Sequence, residues 1–182
     1  MSLVPKKVFF VKGKGFHKIK LVSFEQALRD AGIEKYNLVK VSSILPPYCI
    51  EIDKEDGLKQ IRPGQVLYTV ISRISSNEFN DLISASVGVA KPAEKGKYGY
   101  LSEHHALGIN PQKVGEFAEN LAAEMLATTL GIPFNPNLNY DEKKEVFRMG
   151  GKIVETKNIT SSAIVKEEDE WTTVIAAAIF IF

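Results

Sequence analysis

The chain has 182 residues, 45% of them hydrophobic and 25% charged, enough for a buried core without disulfides and unlike a disordered or membrane-spanning composition. Twenty-three basic against 22 acidic residues leave a formal charge of +1 with no long run of one sign, so nucleic acid is not an expected partner. The one cysteine, Cys49, can form no intrachain disulfide and points to a cytoplasmic setting, while the apolar Val174–Phe182 covers nine residues where a membrane span needs roughly 20, so no membrane association is expected.

Val8–Val11 predicts a first strand, and Lys12-Gly13-Lys14-Gly15 a hairpin turn. A phosphate-binding loop would need a helix behind it and a closing Lys-Ser/Thr, which this segment lacks. Ser23 is expected to cap a helix whose Phe24, Ala27, Leu28 and Ala31 share one face and which ends at Gly32. Tyr36–Ser43 is extended and rich in β-branched residues, and Pro46-Pro47 stops it, because proline has no N–H for a ladder. Val66–Ile74, Leu82–Ala90 and Tyr98–Ala106 follow as strands separated by turn-forming clusters. Asn110 then caps a long helix with Pro111 at its first position; Val114, Phe117, Ala118, Leu121, Ala122, Met125 and Leu126 form one stripe up to Gly131. Ile132–Asn139 reads as irregular, a charged and helical piece comes next, and strands near Ile153–Lys166 and Trp171–Phe182 complete the chain.

Three Ser-Ser doublets occur, Ser42-Ser43, Ser75-Ser76 and Ser161-Ser162, so the doublet by itself is no motif. The first stands apart by its setting: an apolar approach through Leu38, Val39 and Val41, then Ile44-Leu45-Pro46-Pro47 pinning the chain beyond it. Taken alone, that is an ordinary strand-to-turn junction. Glu103 is likewise an ordinary strand glutamate, and the adjacent His104 and His105 face opposite sides of a strand and cannot share a metal, so no metal site is expected. Cys49 reads as a small packed side chain.

The segment Tyr36-Asn37-Leu38-Val39-Lys40-Val41-Ser42-Ser43-Ile44-Leu45-Pro46-Pro47 resembles the cleavage segment of the pyruvoyl-dependent arginine decarboxylases. The likeness is collinear over most of the chain. It takes in Phe24-Glu25-Gln26-Ala27-Leu28, Ala31-Gly32-Ile33, Ser84-Ala85-Ser86-Val87-Gly88-Val89-Ala90, Gly99-Tyr100-Leu101-Ser102-Glu103 and Ala176-Ala177-Ala178. The resemblance implies an α/β fold, an αββα-type layered sandwich with mainly antiparallel sheets, as a single domain over residues 1–182. It implies a proenzyme that cuts itself between Ser42 and Ser43 into residues 1–42 and 43–182, and that assembles as a homotrimer with its sites between subunits. Ser43 would attack the Ser42 carbonyl and end as a covalently bound pyruvoyl group, the cofactor. That group would form a Schiff base with arginine and release carbon dioxide to leave agmatine, a step of polyamine metabolism.

By the same resemblance Glu103 is the proton donor, a glutamic acid kept neutral by apolar surroundings, and Asn37 assists the serine. Glu25, Leu28 and Ser42 would bind the substrate; Glu25 stands where arginine-specific relatives carry aspartate, and the extra methylene shifts that pocket by about an ångström. On a straight strand Asn37 and Ser43 would lie roughly 20 Å apart. Either the strand bends, or Asn37 serves the Ser43 of a neighbouring chain. Two alternatives stay open: a pyruvoyl-dependent decarboxylase of another amino acid, such as histidine or aspartate, and an uncleaved homologue acting as an assembly or binding protein. Ile132–Gly150 is an apparent insertion relative to the family.

Overall fold

The β-branched and aromatic run near the start of the chain is extended, as its composition favours. In the computed structural model, which describes residues 3–133, 142 and 151–182, strand β1 covers Lys7–His17. It runs straight through Lys12-Gly13-Lys14-Gly15, where the sequence predicts a turn. The reason lies above the strand. Helix α1 (Lys20–Ala31) crosses so closely that a Cβ on Gly13 would lie 2.8 Å from the Ala31 nitrogen and closer still to the Ala27 carbonyl, and Gly15 is crowded in the same way by Ser23. Both glycines serve close approach, not a turn.

Ser23 is not the cap expected of it. Ile19 precedes the first turn of α1, and Ser23 sits one turn inside, wholly buried, donating to the Lys20 carbonyl at 2.8 Å and sharing a hydrogen bond with Thr173 at 2.7 Å. Gly32, at φ 81°, ends the helix in the left-handed conformation glycine favours.

The remaining strands of the described residues are β2 (Asn37–Lys40), β3 (Ile44–Leu45), β4 (Ile50–Glu51), β5 (Val66–Ser76), β6 (Leu82–Pro92), β7 (Gly99–Leu107), β8 (Ile153–Ile164) and β9 (Trp171–Ile181). One sheet has the order β2-β5-β9-β1-β4, with β2–β5 and β1–β4 parallel and its central pairs antiparallel. The other is antiparallel throughout, in the order β3-β7-β6-β8. The short α2 (Lys54–Leu58) carries no sequence signal that marked it in advance.

Burial explains the layering. Ala177 and Ile179 of β9 join Phe9, Ala27 and Ala31 beneath α1, whereas the alternate residues Ala176, Ala178 and Phe180 meet Val70, Val87, Val89 and Leu101 between the sheets. A strand covered on both faces reads as a continuous apolar run, which is what Val174–Phe182 is. Helix α3 (Pro111–Thr129) closes the far side, packing Ala122, Ala123 and Leu126 against Ala90. The result is the expected helix–sheet–sheet–helix order.

Asn110 caps α3 as expected, its Oδ1 accepting from the Gln112 N–H at 2.8 Å. The buried stripe is turned by about one position from the expected one: Gly115, Glu119, Ala123 and Ala127 are buried, while Phe117 is half exposed. Small residues let the helix lie on the sheet, where a Cβ on Gly88 would come within 2.6 Å of the Glu119 nitrogen. The expected insertion at Ile132–Gly150, with its charged helical piece, lies almost wholly outside the described residues.

Candidate active site

The chain changes sheets over Val41–Ser43. Strand β2 pairs with β5 and ends as the Val41 N–H donates to the Thr69 carbonyl at 2.9 Å; β3 starts at Ile44 and pairs with β7 in the opposite sheet. Packed sheets lie about 10 Å apart, so no ladder continues across the step. The extended run of Tyr36–Ser43 is therefore broken just before the serine pair.

At the crossing, the Ile44 N–H donates to the Ser42 carbonyl at 3.0 Å, closing a three-residue turn around Ser43. On the other side, the Leu101 N–H donates to the Ser43 carbonyl at 2.8 Å. Ser43 is thus pinned from both directions, half buried, with Ser42 exposed beside it. The Ile44 N–H points at the oxygen where negative charge would build if the Ser42 carbonyl were attacked.

Leu101 and Glu103 share one face of β7, so the strand that anchors Ser43 also brings Glu103 to the crossing. Glu103 Oε1 lies 2.7 Å from Lys40 Nζ of β2. That contact is ionic without hydrogen-bond geometry, since Oε1 is buried and has no hydrogen-bond partner. The carboxylate is the sheltered member, with its side chain 23% exposed against 63% for the lysine. Below it, the Ser72 hydroxyl of β5 donates to the His104 carbonyl at 2.7 Å and ties the two sheets together. The His104 ring turns the other way, 4.5 Å from the ring of Phe117; burial, and then the neighbouring His105, hold its pKa below the ordinary value. Among the described residues, no group of three or more His, Cys, Asp and Glu side chains is placed to hold a metal.

Within one chain the structure gathers Ser42, Ser43 and Glu103 and adds Lys40. Asn37 lies at the far end of β2, its side-chain amide donating to the Gly64 carbonyl at 2.9 Å. Glu25 and Leu28 lie on α1, which packs over β1 and β9, with β5 between β9 and the β2 edge. There Glu25 is ion-paired with Arg29 one turn on, and Leu28 packs into the core under the helix. Lys40 has no signal in the sequence: it is one lysine in a short strand, and its partner comes from a strand late in the chain. Its contact with Glu103 is visible only once the two sheets are stacked.

A second ionic cluster lies beyond the prolines. Glu51 of β4, Lys91 of β6, and Glu155 and Lys157 of β8 form a ring: Lys91 meets Glu51 at 2.6 Å and Glu155 at 2.8 Å, and Lys157 contacts both acids. Burial opposes the charge on Glu51, but hydrogen bonds from Lys157 and Lys91 prevail and hold its pKa below the usual carboxylate range. Next to the ring, a cavity of about 530 Å³ opens over Leu45, Pro46 and Cys49. Burial pushes the Cys49 thiol up to about 11, in keeping with an inert packed side chain.

The model of the pyruvoyl-dependent arginine decarboxylase family matches residues 7–182. A protein of Chlorobaculum tepidum named "Probable pyruvoyl-dependent arginine decarboxylase" is 59% identical over 181 residues, covering 100% of this chain and 99% of its own. Proteins of Thermoplasma volcanium and Nitrosopumilus maritimus, each named "Pyruvoyl-dependent arginine decarboxylase", are 51% and 48% identical, covering 99% and 100% of this chain and 98% and 99% of their own.

Proposed function

Because the chain belongs to the pyruvoyl-dependent arginine decarboxylase family and is an enzyme of that kind, we propose that it cuts its own backbone between Ser42 and Ser43, turns Ser43 into its pyruvoyl group, and converts arginine to agmatine and carbon dioxide. The observation that carries this reading is the pinned turn at the sheet crossing. The Ser43 hydroxyl belongs to the residue that follows the Ser42 carbonyl, the Ile44 N–H meets the oxygen of that carbonyl, and Leu101 holds Ser43 from behind. A hydroxyl held by a rigid frame against a carbonyl with a donor on its oxygen is what an amide-to-ester shift needs.

The cut would part the 182-residue chain into pieces of 42 and 140 residues. The fold suits such a break, since β2 and β3 are held in different sheets by their own ladders. Once formed, the pyruvoyl carbonyl supplies an electron sink for the bond to the departing carboxylate. Glu103 then delivers a proton to the substrate carbon that lost the carboxylate. The surroundings expected for Glu103 were apolar; an ammonium stands beside it instead.

Glu25 is the guanidinium partner in this reading, and the carboxylate already holds one guanidinium, that of Arg29. Arginine would take over that place. Since α1 does not reach the crossing of its own chain, the site is completed across a subunit boundary in a homotrimer, with Asn37, Glu25 and Leu28 meeting the Ser43 of a neighbour. Exposed apolar residues around the crossing support such cover: Val39 and Ile44 are 41% and 40% exposed. No helix among the described residues is long and apolar enough to cross a membrane, and the single cysteine fits a cytoplasmic enzyme.

Intact-mass analysis with borohydride trapping in the presence of arginine tests the reading. Two fragments are expected, the larger one gaining the mass of reduced agmatine or arginine at its N-terminus. An active preparation with an uncut chain, or with no trapping at that N-terminus, overturns it.

A further inference from the structure

The Lys40–Glu103 pair sits two residues from the proposed cut, and the cut changes its charge balance; the inference rests on that cut taking place. The atoms decide the outcome. Attack of Ser43 Oγ on the Ser42 carbonyl carbon forms a C–O bond, breaks the C–N bond, and sends the hydroxyl proton to the freed nitrogen. Elimination then takes the Cα proton of Ser43 to a base and breaks its Cβ–Oγ bond, whose electron pair stays on oxygen. Solvent water hydrolyses the dehydroalanine left behind to the pyruvoyl group, with loss of ammonia. The former Oγ of Ser43 departs as one oxygen of a new carboxylate on Ser42. A second anion is thereby created beside a site that held one ammonium and one carboxylate.

The new anion is tethered to the ammonium. Two residues of chain span at most about 7 Å, so the Ser42 carboxylate stays within reach of Lys40. It is also free to move, because the covalent link to the turn around Ser43 is gone, while Val41 remains bonded to Thr69. Glu103 has no such freedom: Leu101 and His104 are hydrogen-bonded into the frame on both sides of it. The lysine, 63% exposed, is the mobile partner.

From this geometry we infer that Lys40 is a positioning residue which changes partners on cleavage, pairing with Glu103 before the cut and with the new Ser42 carboxylate after it. Losing its cation and gaining a neighbouring anion, Glu103 takes up a proton and becomes the acid that decarboxylation requires. Self-cleavage thus arms the proton donor as well as making the prosthetic group. Within the chain, few other groups face the pair. On β7, His105 lies on the Glu103 face two residues along; β5 offers Tyr68 and the hydroxyl of Ser72; β6 places Val87 opposite; and β3 carries no ionisable group.

Isotope-edited infrared spectroscopy of protein carrying labelled glutamate follows the Glu103 carboxyl, whose band is identified by its loss in Glu103→Gln. The titration is compared in the uncut Ser43→Ala chain and in matured protein. The midpoint is expected to rise by about one pH unit or more on cleavage. In the uncut background, Lys40→Gln should raise it without any cut, and Lys40→Arg should bring it back. A cut chain whose Glu103 titrates as in the uncut one overturns the inference alone, as does an uncut Lys40→Gln chain that titrates like its parent. A wild-type chain that stays full length overturns the cut and the inference together.

Discussion

Two groups of charges lie at opposite ends of the short β3–β4 region, and they are built differently. In the ring of Glu51, Lys91, Glu155 and Lys157, each acid touches both cations, the members come from three strands, and Lys157 also stands 4.8 Å from the ring of Phe10. The Lys40–Glu103 pair has one contact, made by an exposed lysine from an edge strand. A carboxylate held by two cations is locked in its charged form and acts as a rivet between strands. One held by a single solvent-facing lysine can lose its partner, and its charge can change during a reaction. On the proposed reading, the same side-chain types serve stability in one place and chemistry in the other, and the number of partners separates the two.

The largest expected effect lies at the crossing beside the pair. Ser43→Ala removes the attacking hydroxyl and should leave a single uncut band on a denaturing gel with no decarboxylase activity; efficient cleavage in that variant would end the proposed route. Glu103→Gln should still cleave, because the hydroxyl and the Ile44 N–H remain. Its turnover should fall by about 10²–10⁴-fold, with the melting temperature nearly unchanged, and steady-state kinetics alongside thermal denaturation would read both.

Glu51→Gln should show the reverse pattern. It strips two lysines of a shared partner and is expected to cost about 1–3 kcal/mol in chemical denaturation, while turnover per folded molecule holds; a large loss of turnover there would erase the distinction between the two clusters. The smallest effect is in pH. With its folded pKa depressed, Glu51 contributes stability that is fully present above its unfolded value of about 4.3 and is lost as pH falls through the lower folded value. Denaturation midpoints measured from neutral pH down into that window should fall more steeply for the wild type than for Glu51→Gln. Lys91 works in the opposite sense: its raised pKa gives stability that is present at neutral pH and lost only in strong alkali.

Much of this protein is written locally. Asn110 and Pro111 start α3, Gly32 ends α1, and the long strands β5 to β9 follow their β-branched and aromatic runs, because caps, left-handed glycines and strand propensity depend on neighbours a few residues away. The serine pair, Glu103 and the family were legible through collinear segments. The stacking of layers decided the rest. Gly13 and Gly15 look like a turn until α1 is laid on them, Ser23 looks like a cap until Thr173 is found beneath it, and the Tyr36–Ser43 run looks continuous until its halves join different sheets. Lys40 and Glu103 are the plainest case: sequence periodicity reaches about one helical turn, whereas an ion pair between two sheets depends on which edges the packed core brings together.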